Sequence, residues 1–314
     1  MVRRSTIAVA PWVAGIRGPA GGWSRAGSVP TVTDPSADPS PAAPTDTPTP
    51  SWFAEARDHL AGGRFGEVDW VAETASTNAD LVARALARPG GPEAVLVADH
   101  QTAGRGRLER RWEAPPGANL LVSVLVRPAV DASRWPTLTT AAALAAADAV
   151  LAVAGVRPGV RWPNDLIVSD GRAPGKLAGV LAEAVVPPGA APALVVGVGI
   201  NVAWPPDAEA GAPLAATSLA ACTGRVPDRG RVLAAFVSRL DRWLAVWHDD
   251  PGALRDAHRS RSITLGRPVR VRVAGGEVVD GLATDVGIDG SIEVSTPDGA
   301  RSFAAADVEH LRPA

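Results

Sequence analysis

Residues 160–202 read VRWPNDLIVSDGRAPGKLAGVLAEAVVPPGAAPALVVGVGINV. Three apolar runs stand in this stretch, at 160 to 168, 177 to 186 and 193 to 202, separated by segments that contain Gly and Pro. Runs of that length, rich in Val, Leu and Ile, predict buried β-strands. Pro163 has no N–H to give to a ladder, so the first run has to bulge or lie at an edge. Immediately upstream, Leu138 to Ala154 predicts an Ala-rich helix stopped by Gly155. Downstream, Arg231 to His248 sets Leu233, Phe236, Leu240, Trp243 and Trp247 on one helical face, a stripe that suits a core better than a cofactor. Farther upstream, Ser76-Thr77-Asn78 opens a helix through Arg88, and strands follow at Ala94 to Ala98 and Asn119 to Val126. The combination is a mixed α/β domain, assigned to residues 51–260.

After Arg261 the texture changes to short strands separated by Gly275-Gly276, Asp289-Gly290 and Asp298-Gly299. Such pairs are hairpin signals, and about fifty residues of this kind predict a small β-barrel in residues 261–314. At the other end, Pro30 to Pro50 holds seven prolines in 21 residues. That composition does not bury a core, and residues 1–50 are expected to be a disordered tail. Arg3 and Arg4 precede only a weakly apolar stretch broken by Pro11, Gly15 and Arg17, unlike a secretory signal.

The 314 residues carry 31 basic and 33 acidic side chains, a net charge of −2, which gives no general affinity for nucleic acid or an anionic membrane. No run approaches the ~18 apolar residues of a membrane span. One cysteine, Cys222, forms no intrachain disulfide, and a reducing, cytoplasmic setting is expected. Thirty of the basic residues are Arg and one is Lys. A compact ammonium differs from a planar fork wherever geometry is tight, so the lone Lys176 marks a candidate site.

Four motifs carry the chemistry. Gly104-Arg105-Gly106-Arg107, followed by Arg110, Arg111 and Trp112, combines close backbone approach with guanidinium groups suited to an anion, and by itself suits a basic surface loop equally well. Arg161-Trp162-Pro163-Asn164-Asp165 gathers polar groups into an otherwise buried strand, and by itself is explained first as a structural turn. Lys176 opens the run Lys176-Leu177-Ala178-Gly179. Gly197, Gly199 and Asn201 stand in a buried strand, where the glycines leave room for a flat ligand or another backbone. The five histidines show no metal-ligand spacing.

In this order the motifs resemble the biotin protein ligase family, from about Ser76 to Asn201 and on through a C-terminal barrel, more than half of the chain. The resemblance implies an α+β fold, a mixed-sheet class II synthetase-like catalytic domain with a small C-terminal SH3-like β-barrel. It implies an ATP-dependent, AMP-forming enzyme that converts biotin to biotinyl-5'-AMP and transfers the biotinyl group to a lysine of a biotin carboxyl carrier protein domain of a biotin-dependent carboxylase. By the same resemblance Ser76, Thr77, Asn78, Gln101, Arg105, Gly106, Arg107 and Lys176 bind biotin. Arg110, Trp112, Asn164 and Asn201 bind ATP, and Mg²⁺ comes with ATP, with no protein metal site besides. Lys176, Arg105 and Arg107 suit stabilisation of charge on the α-phosphoryl group during attack. Arg161 departs from the family, which commonly has Lys before Trp-Pro-Asn-Asp. Residues 1–50 offer no recognition helix, so ligase activity without DNA binding is expected. The alternatives are a lipoate-type protein ligase and a non-catalytic biotin-binding module.

Overall fold

The computed structural model describes residues 8–11, 47–107, 110–169, 174–187, 189–205, 215–273, 276–304 and 307–311. In chain order the first half consists of β1 (Ala8–Pro11), α1 (Ser51–Leu60), β2 (Glu67–Thr74), α2 (Thr77–Ala87), β3 (Ala94–Gln101), β4 (Leu120–Val126), α3 (Leu138–Ala154), β5 (Gly159–Arg161) and β6 (Asp165–Val168). Then come β7 (Gly175–Val186), β8 (Ala193–Ile200), β9 (Ala215–Ala216), α4 (Leu219–Thr223), α5 (Arg229–Asp249) and α6 (Pro251–Arg261). The chain closes with β10 (Pro268–Arg272), β11 (Val278–Val286), β12 (Ile292–Thr296), β13 (Gly299–Phe303) and β14 (Asp307–His310).

The large sheet runs β2-β3-β4-β8-β7-β6-β5, with β1 and β9 added to β7. Along that path β2 and β3 are parallel and the remaining pairs antiparallel. Strand alternation sends Val95, Val97, Val122 and Val124 to one face, under α1, α3 and α5. Ala94, Leu96, Leu125 and Val195 go to the other, under Leu81, Val82 and Ala85 of α2. Because α3 lies between the sheet and α5, it is apolar on every side, and Gly155 at φ 70° ends it as the sequence predicts. With its preceding 3₁₀ turn, Ala132–Ala154 is long and apolar enough to cross a membrane by composition, but 67% of that window is buried within the fold.

Two expectations need correction. The run 160–168 is not one strand: residues 162–164 form the turn that the motif Arg161–Asp165 suggests when read alone, containing a cis Trp162–Pro163 bond, and it divides β5 from β6. Residues 1–50 are not disordered throughout, since Ala8–Pro11 pairs antiparallel with Glu183–Val186 of β7. β6 matches β7 only from Gly175 to Gly179. The remaining edge would carry unpaired backbone groups, which β1 satisfies. Most of the expected tail, through residue 46, lies outside the described residues. α1, β2, α6 and β14 were not foreseen.

The C-terminal unit is a five-stranded antiparallel sheet ordered β13-β12-β11-β10-β14. Its core of Val269, Val271, Ala283, Ile292, Val294 and Phe303 includes one residue from the turn between β5 and β6, Trp162, 2% exposed. Trp162 Nε1 donates to Gly290 O at 2.9 Å and its backbone N–H to Thr264 Oγ1 at 3.0 Å. Arg161 Nη2 reaches Val308 O at 3.1 Å, and Ile263 N–H donates to Val160 O at 2.9 Å. The turn between β5 and β6 is therefore the joint between the two units.

Trp162→Ala should cost about 3–5 kcal/mol of stability, mostly from the C-terminal unit. Denaturant unfolding followed on both units would show it, and a change under about 1 kcal/mol would mean that the joint is held otherwise. Stability should also depend on acid. Burial pushes His258 down to about 4, and burial with the charges of Arg161 and Arg267 pushes His310 down to about 4, from an ordinary 6.5. Between these values the unfolded chain takes up protons that the folded chain refuses, so stability is complete above pH 6.5 and declines as pH falls toward 4. The melting temperature should drop between about pH 7.5 and about pH 5, and a His258→Leu, His310→Asn double variant should lose most of that drop.

Candidate active site

A cavity of about 420 Å³ opens on the α2 face of the large sheet. Its floor is built from cross-strand rows. Leu121, Gly199 and Gly179 pair in one row, and Ser123, Gly197 and Leu181 in the next. The glycines are required by what lies on them. A Cβ on Gly199 would sit 2.5 Å from Trp112 Cε2, one on Gly179 3.1 Å from Trp112 Cζ3, and one on Gly197 2.2 Å from Asn78 Oδ1. Trp112 and Asn78 thus rest directly on the backbone, two residues or roughly 7 Å apart along the strands.

Around Asn78 the polar groups form one connected relay. Gln101 Oε1 accepts from Thr77 N–H at 2.9 Å and lies 3.0 Å from Thr77 Oγ1. Thr77 Oγ1 is 2.6 Å from Ser123 Oγ, which is 2.6 Å from Asn78 Oδ1. Asn78 Nδ2 donates to Glu183 Oε2 at 2.9 Å and to Leu181 O at 3.3 Å, and Arg105 Nη2 donates to the same Glu183 oxygen at 3.1 Å. Thr77, Asn78, Ser123 and Glu183 are all buried. The arrangement satisfies groups that would otherwise be costly to bury. Ser76, also buried, precedes α2 without capping it.

Around Trp112 the character changes to charge. Lys176 Nζ is 2.7 Å from Asp165 Oδ1 and 5.5 Å from the Trp112 ring centroid. Lys176 reaches the cavity because of a break in register. Leu166 pairs with Ala178 but Ile167 with Lys176, which leaves Leu177 as an extra residue. Ala178, Val180, Ala182 and Ala184 face the large core, and Leu177 faces it too. The extra residue inverts the alternation, so Lys176 falls on the cavity side, where regular pairing would bury it in the core. The Trp112 Nε1–H is buried and has no acceptor among the described residues.

The cationic segment turns back on itself at the cavity wall. Gly106 N–H donates to Arg110 O at 2.7 Å and Trp112 N–H to Gly104 O at 3.0 Å, with an antiparallel bridge between Arg105 and Arg111. Residues 108–109 lie outside the described residues. Arg105, Arg107, Arg110, Arg111, Arg161 and Lys176 together line the cavity, a concentration of positive charge suited to a polyphosphate.

Of the residues singled out by sequence, Ser76, Thr77, Asn78, Gln101, Arg105, Gly106, Arg107, Arg110, Trp112, Asn164 and Lys176 all line this cavity. Asn164 also clasps β7, its Nδ2 donating to Val180 O at 2.8 Å. Asn201 is buried and is not among the residues that line the cavity. Its Nδ2 donates to Lys176 O at 3.2 Å and Thr217 O at 3.0 Å, while its Oδ1 accepts from Asn119. With those groups taken inside the protein, Asn201 braces the backbone beneath Lys176. Sequence reasoning gave no role to Ser123, a polar residue in an apolar strand, or to Glu183, the acid that closes the motif running from Gly175 to Glu183.

Gly199→Ala should leave the fold intact but push Trp112 off the floor, weakening the binding of a ligand seated at the cationic end by about tenfold or more, since a ~1 Å displacement in a site is worth up to about 100-fold. Ligand titration alongside a melting curve would check this; an unchanged affinity would show that Trp112 can move without consequence.

Residues 75–201 match the biotin/lipoate A/B protein ligase family, and residues 264–311 match the biotin protein ligase C-terminal domain. A biotin–[acetyl-CoA-carboxylase] ligase of Mycobacterium tuberculosis is 39% identical over 262 residues, covering 82% of this chain and 94% of that protein. The ligase of the same name from Paracoccus denitrificans is 32% identical over 243 residues, covering 76% and 98%. The solved biotin protein ligase of Aquifex aeolicus, in complex with biotin and ATP, superposes with a TM-score of 0.66 at 24% identity, covering 79% of this chain and all of that one, a likeness of fold. Matched over both its units, and at this level of identity along nearly the whole of a relative, the chain belongs to the biotin protein ligase family.

Proposed function

We propose that this protein activates biotin with ATP and transfers the biotinyl group to a lysine of a biotin carboxyl carrier protein. The observation that carries the reading is the division of one cavity into a neutral hydrogen-bonding end at Thr77 and Asn78 and a cationic end at Lys176 and Trp112, roughly 7 Å apart along the floor. A ureido ring with donors and acceptors suits the first, and an anionic carboxylate meeting a polyphosphate suits the second.

A carboxylate is a poor electrophile. One of its oxygens attacks the α-phosphorus of ATP, the bond to the bridging oxygen breaks, and pyrophosphate leaves. Lys176, held by Asp165 and the Trp112 face, with Arg105 and Arg107, offsets the negative charge that builds on the α-phosphoryl oxygens. The acyl phosphate then has a good leaving group. The carrier lysine amine attacks the acyl carbon, the C–O bond to phosphate breaks, and AMP leaves as the amide forms. Arg110, Trp112 and Asn164 take the nucleotide side. Ser76, Thr77, Asn78 and Gln101 take the ring. Mg²⁺ is expected to accompany ATP, where it would offset phosphate charge during attack. We assign the carrier to a biotin-dependent carboxylase and the reaction to the cytoplasm, in keeping with a sequence that holds one cysteine and so forms no intrachain disulfide.

Incubation with ATP, labelled biotin and a biotin carboxyl carrier domain tests the reading directly, with lipoate in parallel. Labelling of the carrier by biotin and not lipoate is expected, and the reverse would overturn it. Lys176→Arg should lower the rate of pyrophosphate release by about 10²–10³, or roughly 2.7–4 kcal/mol, with the melting temperature little changed. A rate within about threefold of the original would mean that charge alone is needed there.

A further inference from the structure

Two buried amides connect the start of β4 to the backbone of Lys176. Asn119 precedes β4 and Asn201 follows β8, and neither lines the cavity. Asn119 Oδ1 accepts from Val202 N–H at 2.9 Å and from Trp204 N–H at 3.2 Å, and backbone N–H groups only donate. Its Nδ2 is thereby turned to Asn201 Oδ1, 3.0 Å away. Asn201 Nδ2 in turn gives its two hydrogens to Lys176 O at 3.2 Å and Thr217 O at 3.0 Å, which only accept. Both ends demand the same orientation, and no hydroxyl stands between them whose proton could reverse it.

What the pair holds is the bulge. The carbonyls on either side of the break in register, Lys176 O and Leu177 O, both bond to residue 201: its side chain takes the first and its backbone N–H the second, at 2.9 Å. A slip of the bulge by one residue would send Lys176 to the opposite face of the sheet. Asn119 fixes residue 201 twice, by its amide to Oδ1 and by the N–H of the next residue, Val202. Without Asn119 Nδ2, Asn201 Oδ1 is left buried with no donor among the described residues, a costly state that rotation of the amide away from Lys176 O would relieve.

We propose that Asn119 is a positioning residue for the attack on ATP: lying outside the cavity, it holds Asn201, and through Asn201 the backbone of Lys176, so that the ammonium stays beside Asp165 and the face of Trp112. The inference rests on the biotin-activating reading, which gives Lys176 its task. The neutral end of the cavity is built by Thr77 and Asn78 from hydrogen bonds in which Asn119 has no part. Asn119 therefore governs the rate of pyrophosphate release more than the affinity for biotin, and it does so through Lys176 alone.

The test is a double-mutant cycle on pyrophosphate release from ATP and biotin, in wild type, Asn119→Ala, Lys176→Ala and the double variant, with a biotin titration and a melting curve for each. Asn119→Ala should slow release by about tenfold to 100-fold, the range that a ~1 Å displacement in a site reaches, and lower the affinity for biotin by a smaller factor. Added to Lys176→Ala it should slow release by less than about threefold further, because a residue that acts through Lys176 then has nothing to position. Losses that multiply in the double variant, or an affinity for biotin that falls as far as the rate, would reduce Asn119 to packing and overturn the proposal. Asn119→Ser, which keeps a small polar group near Val202 N–H and withdraws the donor from Asn201, runs the same cycle if the alanine variant folds poorly. Wild type that releases no pyrophosphate would overturn the function itself, a separate outcome.

Discussion

The site depends on a bare strip of sheet. A flat ligand and an indole can lie against strands only where no Cβ intervenes, and Gly179, Gly197 and Gly199 clear that space in adjacent strands at matched register. Everything else is arranged over the strip. α2 covers the remainder of this face with Leu81, Val82 and Ala85 and brings Thr77 and Asn78 from its first turn onto the floor, where Asn78 rests on Gly197. The same face closed by larger side chains would be an ordinary packed sheet with no cavity.

Lys176 shows how narrowly the chemistry depends on register. The ammonium is in the cavity because Leu177 is an extra residue in β7, and the strand on either side of it obeys opposite parities. Asn201 and Thr217 hold the carbonyl of Lys176 from below, and Asp165 and Trp112 hold the ammonium from above. Asn201 thereby belongs to the support of the site and not to its wall. A strained or irregular element at a functional position, stabilised by hydrogen bonds from its surroundings, is the expected economy of an enzyme.

The two units are joined through the same turn that supplies Asn164 and Asp165. Trp162 is buried in the C-terminal core while its neighbours line the cavity, and Arg161 reaches the backbone of β14. This gives a structural account of Arg161 where relatives commonly have Lys. A guanidinium has donors to spare, so one can hold Val308 O while others face the cavity. Val308 itself lines the cavity, which makes the C-terminal sheet part of the site's wall.

The sequence by itself determined the secondary elements with strong signals: the apolar runs of β4, β7 and β8, α3 ending at Gly155, the striped α5 and the Asp-Gly hairpins of the C-terminal sheet. These rest on local periodicity and turn chemistry, which a chain carries in its own order. Its motifs also named nearly every residue of the cavity wall, because those residues are few and chemically distinctive. Tertiary structure alone decided the rest. β1 forms only because β7 outlasts β6, and Ser123 and Glu183 matter only because separate strands bring them to Asn78. Leu177 becomes a bulge only through its pairing with β6, and Trp162 leaves its own domain for another's core. Each of these depends on what lies across a strand or beneath a helix, and residues distant in sequence meet there for reasons that no window along the chain contains.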